Sequence, residues 1–428
     1  MRSGAWTEAH AEEYLLSLEL FGMRFGLDRM NRLMTALSLP QQRFESIHVV
    51  GTNGKSSTVR MIAAILERHG VRAGAYLSPH LSSFTERIRI GERDVEPAAF
   101  AAAVQRAARA AELVDRTLAP GDRVTQFEAL TAAAYDELAR SDVQVAVIEA
   151  GLGGRWDATN VIASRVQVLT NVGLEHTRWL GPTVRDIARE KLAVVRPGST
   201  LVVGALEPDA EEEARATVQR CGATLVHAPA EWEGELGVAG AFQKENFALA
   251  RAAAEAYLGG LDDVGGLDDA AVRDAAVSVR VPGRCEVIDR RPLTILDGAH
   301  NPSGVRALAR SLPELTAAAG PLVAVVSILE DKDAAGMLRE LVKCCASIVL
   351  TSNCNPRALS PATLQSLARQ VAGAAGAAPA LEVEPDPRAA LSRARALAGD
   401  HGAVLATGSI YLVSDLKRAP GERRASML

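Results

Sequence analysis

Residues 47–58 read Ile47-His48-Val49-Val50-Gly51-Thr52-Asn53-Gly54-Lys55-Ser56-Ser57-Thr58, an apolar run that breaks into two glycines, a lysine and four hydroxyls. Glycines at 51 and 54 let a backbone wrap so that successive N–H groups converge on one anion. A helix beginning near Lys55 adds the positive end of its dipole. Lys55 then bridges phosphate oxygens, and Ser56 or Ser57 reaches a magnesium ion. The chemistry this predicts is nucleotide phosphate binding, with Gly51, Thr52, Asn53, Gly54, Lys55, Ser56 and Ser57 as the cradle. The spacing is not a strict GxxxxGK[ST], because Val49 stands where its first glycine belongs. The competing reading is an ordinary strand, turn and helix whose lysine is solvated.

Three further polar clusters follow apolar runs: Glu149-Ala150-Gly151-Leu152-Gly153-Gly154-Arg155-Trp156-Asp157-Ala158-Thr159-Asn160, then Asn171-Val172-Gly173-Leu174-Glu175-His176, then Asp297-Gly298-Ala299-His300-Asn301-Pro302. Glu149 ends an apolar run, where a carboxylate is costly without a partner. Lys191 sits in the helical pattern IAREKLAVV, which looks buried, and burial lowers a lysine pKa.

The elements that position these clusters are short β-branched runs alternating with Ala-rich helical stretches. SIHVVGTNG, DVQVAVIEAG, VQVLTNVG, PLTILDGAH, PLVAVVSIL, ASIVLTSN and GAVLATGS read as strands; KSSTVRMIAAILERHG and NPSGVRALARSLPEL read as helices. Continuous apolar strands with helices between them predict parallel sheets covered on both faces. Ligands in such sheets sit beyond the carboxyl ends of the strands, where the polar clusters fall. GGLDDVGGLDDA at 259–270 reads as a loop. VRVPGR at 279–284 marks a break, so the expected domains are 1–281 and 282–428. The predicted fold is α/β: a phosphate-loop ATP-binding domain on a mostly parallel sheet, then a smaller Rossmann-like α/β domain.

Composition excludes several classes. A chain of 428 residues predicts two or three domains. The formal charge of −5 lacks the basic excess of a nucleic-acid binder, so an anion must be held by local groups. Only 4% of residues are aromatic, which leaves packing to Ala, Leu and Val. The five cysteines, Cys221, Cys285, Cys344, Cys345 and Cys354, show no CxxC spacing and suit a reducing cytoplasm. No run of about 18 apolar residues predicts a membrane span, and the N-terminus carries acidic residues where a signal peptide needs an apolar run.

GTNGK followed by hydroxyls resembles the phosphate loop of Mur-type ligases. Tyr76-Leu77-Ser78-Pro79-His80-Leu81 with Glu86-Arg87-Ile88 is similar to the SPHL…ERI loop of the folylpolyglutamate synthase/dihydrofolate synthase family. The run Thr125 to Thr131 resembles its TxFExxT segment, and Glu149 to Asn160 its EVGLGGRLDATN signature. Asn171 to His176, Glu190-Lys191, Pro282-Gly283-Arg284, Asp297 to Pro302 and Asp331-Lys332-Asp333 extend the resemblance from about residue 20 to 415. Ser56, Trp156 and Glu175 depart from the Gly, Leu and Asp usual there, and Ser56 requires a negative φ.

The resemblance implies an ATP-dependent ligation of L-glutamate to dihydropteroate, to a reduced folate, or to both, through an acyl phosphate. It implies magnesium, two ions, held by Ser57, Ser78, Glu149 and His176, and by Lys191 if that lysine is carbamylated. An unmodified Lys191 would instead pair with Glu190 or phosphate. Lys55, Lys191 and His300 are the expected catalytic residues, although His300 could also cap a helix. Asn246 is implied at the adenine, and Arg284 and Asp297 at ATP. Met23, Arg24, Phe25, Thr125, Gln126, Phe127, Trp156, Asp157 and Ala158 are implied at the pterin, with Asp157 accepting from ring N–H groups. Met23 and Phe25 would suit a core equally well. The implied enzyme is a cytoplasmic monomer with small-molecule partners and neither nucleic acid nor membrane. A ligase for a peptidoglycan precursor and an ATP-switched regulatory protein are the alternatives. The first leaves SPHL and GLGGRWDATN unexplained, and the second has no need of Glu149, His176 and Lys191 together.

Overall fold

A computed structural model describes residues 4–18, 26–261, 266–317, 319–376 and 379–418. The chain forms two compact units, Met1–Glu235 with Lys244–Val279, and Leu236–Gln243 with Arg280–Leu428. Among the described residues no helix is long and apolar enough to cross a membrane.

The first unit carries one eight-stranded sheet. Its strands are β1 (Glu45–Val50), β2 (Ala73–Tyr76), β3 (Ile88–Ile90), β4 (Arg93–Asp94), β5 (Val145–Glu149), β6 (Val166–Leu169), β7 (Thr200–Val203) and β8 (Thr224–His227). They lie in the order β4-β3-β2-β5-β1-β6-β7-β8. The six from β2 to β8 are parallel, and β3 and β4 are antiparallel at one edge. β5 is buried at every position and β1 at all but Glu45, as strands covered on both faces must be. The chain leaves β1 for β2, beyond β5, and later returns to the opposite flank as β6. Strand order therefore reverses at β1, where open parallel sheets form their ligand crevices.

Helices α1 (Glu8–Ser17), α2 (Asp28–Ala36), α3 (Lys55–Arg68), α4 (Pro97–Asp115), α5 (Gln126–Arg140), α6 (Thr177–Leu180) and α7 (Val184–Leu192) belong to this unit. α4 and α5 meet through small side chains, among them Ala103, Ala107, Ala129 and Ala133, all buried. Four of the few aromatics, Tyr76, Phe84, Phe100 and Tyr135, are buried together in one core. The expected loop at 259–270 ends early, because Asp268 accepts from Ala270 and Ala271 N–H and so starts the helix Asp269–Ser278; residues 262–265 lie outside those described.

The second unit holds β9 (Glu286–Arg290), β10 (Leu293–Leu296), β11 (Leu322–Val326), β12 (Ser347–Leu350), β13 (Ala380–Val383) and β14 (Ala403–Thr407), ordered β13-β12-β11-β14-β10-β9. Only β9 is antiparallel to its neighbour. Both sheets are thus mostly parallel, as the alternation of strands and helices predicts. The second core gathers Val305, Leu308, Leu312, Ile348, Leu350 and Leu364, with Ala239 and Phe242 packed against it.

Candidate active site

The turn after β1 needs its glycines. Gly51 has φ +152° and Gly54 φ +83°, both in territory that favours glycine. A Cβ at Gly51 would collide with the Thr170 side chain, and one at Gly54 with the Asn246 amide. The end of β6 pins the turn: Thr52 N–H donates to Asn171 O (3.0 Å), Asn53 N–H to Asn171 Oδ1 (3.0 Å), and Thr170 Oγ1 to Asn53 O (2.6 Å). Gly54 is the N-cap of α3 and offers no side chain to its first turn, which suits that turn to an anion. Ser56 lies inside α3, so the negative φ it requires is met.

Two lysines converge on this turn. Lys55 Nζ donates to Gly51 O (3.1 Å) and Thr52 O (3.2 Å), and Lys191 Nζ donates to Gly51 O (2.8 Å). Lys191 is 4% exposed, at the end of α7. Burial first, and then the neighbouring Lys55 charge, bring its pKa down to about 7, against the pull of Glu175 and Asp157. Glu190 turns away from it to Arg155 (2.8 Å). The α7 backbone also passes so close to Gly154 that a Cβ there would strike the carbonyls of Lys191 and Glu190.

Glu149 ends β5 with 1% exposure. Its Oε1 accepts from Ser56 Oγ (2.9 Å) and its Oε2 from Ser78 N–H (3.1 Å). Of the two serines expected near a cation, Ser56 is therefore the one on the carboxylate, while Ser57 is buried in the same helical turn. Arg87, itself 1% exposed, braces the Ser78 loop by donating to His80 Nδ1 (2.8 Å) and to Ser78 Oγ (3.5 Å). Glu86 accepts from Leu81, Ser82 and Ser83 N–H. His176 takes a left-handed conformation (φ 52°) and lies 3.8 Å from Glu175, partly exposed. Among the described residues no three His, Cys, Asp or Glu side chains group as a metal cage.

A second cluster surrounds the residues expected at the pterin. Thr125 caps α5 in a reciprocal box with Glu128, which Arg29 on α2 grips through Nε at 3.0 Å to both oxygens. Gln126 turns inward, donating to Leu15 O (2.7 Å) and tying α5 to the end of α1. Phe127 faces Gly151, where a Cβ would lie 2.6 Å from its ring and 3.1 Å from Asp157 Oδ2. Trp156 is 46% exposed, and Ala158 is buried at the start of a 3-10 turn. Asp157 is buried, with Oδ2 accepting from Leu152 N–H (2.7 Å) and Oδ1 from Thr159 N–H (3.0 Å) and the Thr159 hydroxyl. Burial raises its pKa, and these bonds oppose the shift. Met23, Arg24 and Phe25 lie outside the described residues.

In the second unit, Asp297 follows β10 and accepts from Cys285 N–H (2.9 Å) and Ala299 N–H (2.8 Å). Burial raises its pKa, partly offset by the Arg284 guanidinium. Arg284 fills the space beside Gly298, where a Cβ would overlap it. The cap of helix Pro302–Leu315 is Asn301, through Gly304 N–H (2.8 Å), so His300 is not the capping residue. His300 Nδ1 bonds Gly298 O (2.9 Å).

Four polar residues that hold these loops have no role assigned from sequence: His48, Arg87, Thr159 and Asn171. His48 carries the one available signal, a polar side chain inside an apolar strand, which must find a buried partner.

Residues 283–410 match the family described as the glutamate ligase domain of Mur ligases. The chain is 35% identical over 368 residues to the dihydrofolate synthase/folylpolyglutamate synthase of Mycobacterium tuberculosis, covering 78% of this chain and 75% of the relative. It is 31% identical over 423 residues to the Bacillus subtilis protein of the same name, covering 93% and 95%. Its fold matches the solved M. tuberculosis folylpolyglutamate synthase complexed with ADP at a TM-score of 0.87, with 31% identity over 96% of this chain and 100% of that one. It also matches E. coli FolC in complex with DHPP and ADP at 0.82, with 28% identity over 97% and 98%. The chain belongs to the dihydrofolate synthase/folylpolyglutamate synthase family of Mur-type ligases.

Proposed function

We propose that this enzyme uses ATP to join the carboxylate of dihydropteroate, of a reduced folate, or of both, to the amine of L-glutamate. The observation that carries the reading is the meeting of three features at one strand reversal: an open helix start after Gly54, Lys55 and Lys191 on one carbonyl, and the buried Glu149 bonded to Ser56. ADP in the related solved structures supports a nucleotide at the turn. The γ-phosphoryl group passes to the substrate carboxylate, giving an acyl phosphate and ADP. The glutamate amine attacks that carbonyl, loses a proton and expels phosphate. Backbone N–H groups of Gly54 and the first turn of α3, with the Lys55 ammonium, hold the phosphates, which is where most catalysis of phosphoryl transfer lies.

The residues present fit magnesium. Glu149 and the Ser56 and Ser57 hydroxyls are hard oxygen donors, and the lack of a closed protein cage suits an ion that keeps phosphate oxygens and waters in its shell. Ser57, Ser78, Glu149 and His176 are the proposed ligands. Bound magnesium would neutralise charge on the transferring phosphoryl group. A lysine with pKa about 7 is roughly half neutral near pH 7, so Lys191 can attack carbon dioxide, release a proton and become a carbamate, a further anionic ligand. Asn246 beside Gly54 suits the adenine. Arg284 and Asp297 suit nucleotide contacts, and His300 the phosphate or the incoming glutamate. Phe127, Trp156, Asp157 and Ala158, with Thr125, Gln126 and the segment at Met23, Arg24 and Phe25, are proposed at the pterin. Free cysteines fit a reducing cytoplasm.

Product mass analysis with ATP, L-glutamate and each pterin substrate tests the reading. A mass gain of one glutamyl unit, with one phosphate released per bond, is expected. Phosphate release without a glutamylated product from either substrate would overturn it.

A further inference from the structure

We infer that His48 and Thr159 are positioning residues for Asp157, holding its carboxylate in the orientation that receives the pterin ring; this rests on the pterin assignment of Asp157 made above. The direction of the hydrogen bonds follows from counting hydrogens. The Thr159 hydroxyl owns one, and it goes to Asp157 Oδ1. The 2.9 Å bond between Thr159 Oγ1 and His48 Nε2 must therefore be donated by the ring. His48 is 1% exposed on β1, and burial, with the Arg196 charge second, lowers its pKa to about 3. The ring is neutral, with its proton on Nε2. The relay runs one way, from His48 to Thr159 to Asp157.

The backbone under the relay is fastened separately. Tyr135 on α5 donates its hydroxyl to Thr159 O (2.9 Å). Arg196 donates to Asn160 O (2.9 Å), Asn160 Oδ1 (2.6 Å) and Ile162 O (3.1 Å). With the main chain fixed from two sides, the remaining freedom at Thr159 is its χ1, and His48 selects the rotamer that points the hydroxyl hydrogen at Asp157. A central parallel strand has no structural need of histidine, since valine fits that pleat better. Oδ1 accepts twice from Thr159, which leaves Oδ2, held by Leu152 N–H beside Gly151 and Phe127, as the oxygen a pterin ring N–H group would meet. Losing the relay leaves the carboxylate on its backbone donors but removes one of the two bonds that tether Oδ1, so its plane can turn about them.

The experiment measures KM for dihydropteroate, KM for reduced folate, KM for ATP and kcat in Thr159→Val, Thr159→Ser, His48→Leu and His48→Gln, with Asp157→Asn alongside. Thr159→Val keeps the side chain's shape and removes only the hydroxyl. Losing a hydrogen bond to a charged group predicts a rise of about tenfold or more in KM for the pterin substrate in Thr159→Val and His48→Leu, with KM for ATP within about twofold. Thr159→Ser and His48→Gln, which restore a donor, should recover most of the loss. A purely structural role would lower the active fraction, and hence kcat, without moving one KM alone. An unchanged pterin KM in Thr159→Val, or an equal rise in both KM values, overturns the inference. If wild type turns over a pterin substrate, Asp157→Asn is impaired and Thr159→Val is normal, the inference fails and the functional reading stands. If wild type turns over neither pterin substrate, the functional reading has failed first.

Discussion

Each unit carries a buried carboxylate at the carboxyl end of a parallel strand, and the two are held differently. Asp297, after β10, accepts two backbone N–H groups and lies by Arg284. Glu149, at the end of β5, accepts the Ser56 hydroxyl and the Ser78 N–H. Backbone amides are fixed by the fold and cannot turn away. A serine hydroxyl rotates by changing one χ angle, so the Ser56 bond is exchangeable, and a cation can take that oxygen. Asp297 reads as a fixture of its loop, and Glu149 as an anion kept available.

The largest expected effect is on the basic side of the first unit. Lys55→Ala should lower kcat by about 10³-fold or more, since positioning and neutralising phosphate is most of the catalysis. Its melting temperature should stay near wild type, because Lys55 caps carbonyls rather than filling a core. Near-normal turnover in the purified variant would remove the phosphate-loop assignment.

Swapping each carboxylate for its amide breaks or keeps the contrast directly. Glu149→Gln should lose roughly 10²–10³-fold in kcat, as a site deprived of a cation's charge stabilisation would, with little change in melting temperature. Asp297→Asn should cost about 1–3 kcal/mol of stability, because an amide nitrogen is turned against a backbone donor. Calorimetry beside steady-state kinetics reads both. Equal melting losses in the two variants would erase the distinction.

Lys191 sharpens the basic side further. Its pKa falls from 10.5 to about 7, so between those values the unfolded chain binds a proton that the folded chain does not. Stability in carbon dioxide-free buffer should therefore rise as pH climbs from about 7 towards 10.5, and Lys191→Met should flatten that rise. Below about pH 7 the wild type carries the full penalty of the buried charge, and Lys191→Met gains most there. With bicarbonate present, carbon-13 labelling should reveal a carbamate, and small carboxylic acids should partly rescue Lys191→Ala. Rescue by amines alone, with no carbamate signal, would sink that role.

The smallest effect belongs to Ser56→Gly. If its hydroxyl yields to a cation during turnover, its removal should change kcat/KM only a few-fold, while glycine within the first turn of α3 destabilises by about 1 kcal/mol. A loss as large as that of Glu149→Gln would make Ser56 an obligatory ligand.

The strand ends and the glycine turn were legible because each is local: apolar run, glycines and helix start lie within a dozen residues. The bond from Ser56 to Glu149 was not, since it joins positions 93 apart and only the sheet order brings them together. Gln126 shows the same limit. Its amide ties α5 to Leu15, 111 positions away, a pairing that no local pattern announces. At Asp297 to Pro302 the histidine drew attention, while Asn301 has the cap geometry that asparagine prefers. The segment 236–243 carried no composition shift to announce that it packs with the second unit.

That segment changes what a separable part of this protein would be. Residues Ala239 and Phe242 pack against the second core, and Ala241 N–H donates to Ser311 Oγ (3.0 Å). A fragment beginning at Arg280 would therefore be born with an apolar scar and a missing donor, although it contains every strand of its sheet. Gene dissection at the obvious break would yield a sticky, incomplete body. A fusion that carries residues 236–243 ahead of Arg280 on a short flexible linker restores the missing patch, and it is the form in which this module could be excised, transplanted or inherited on its own.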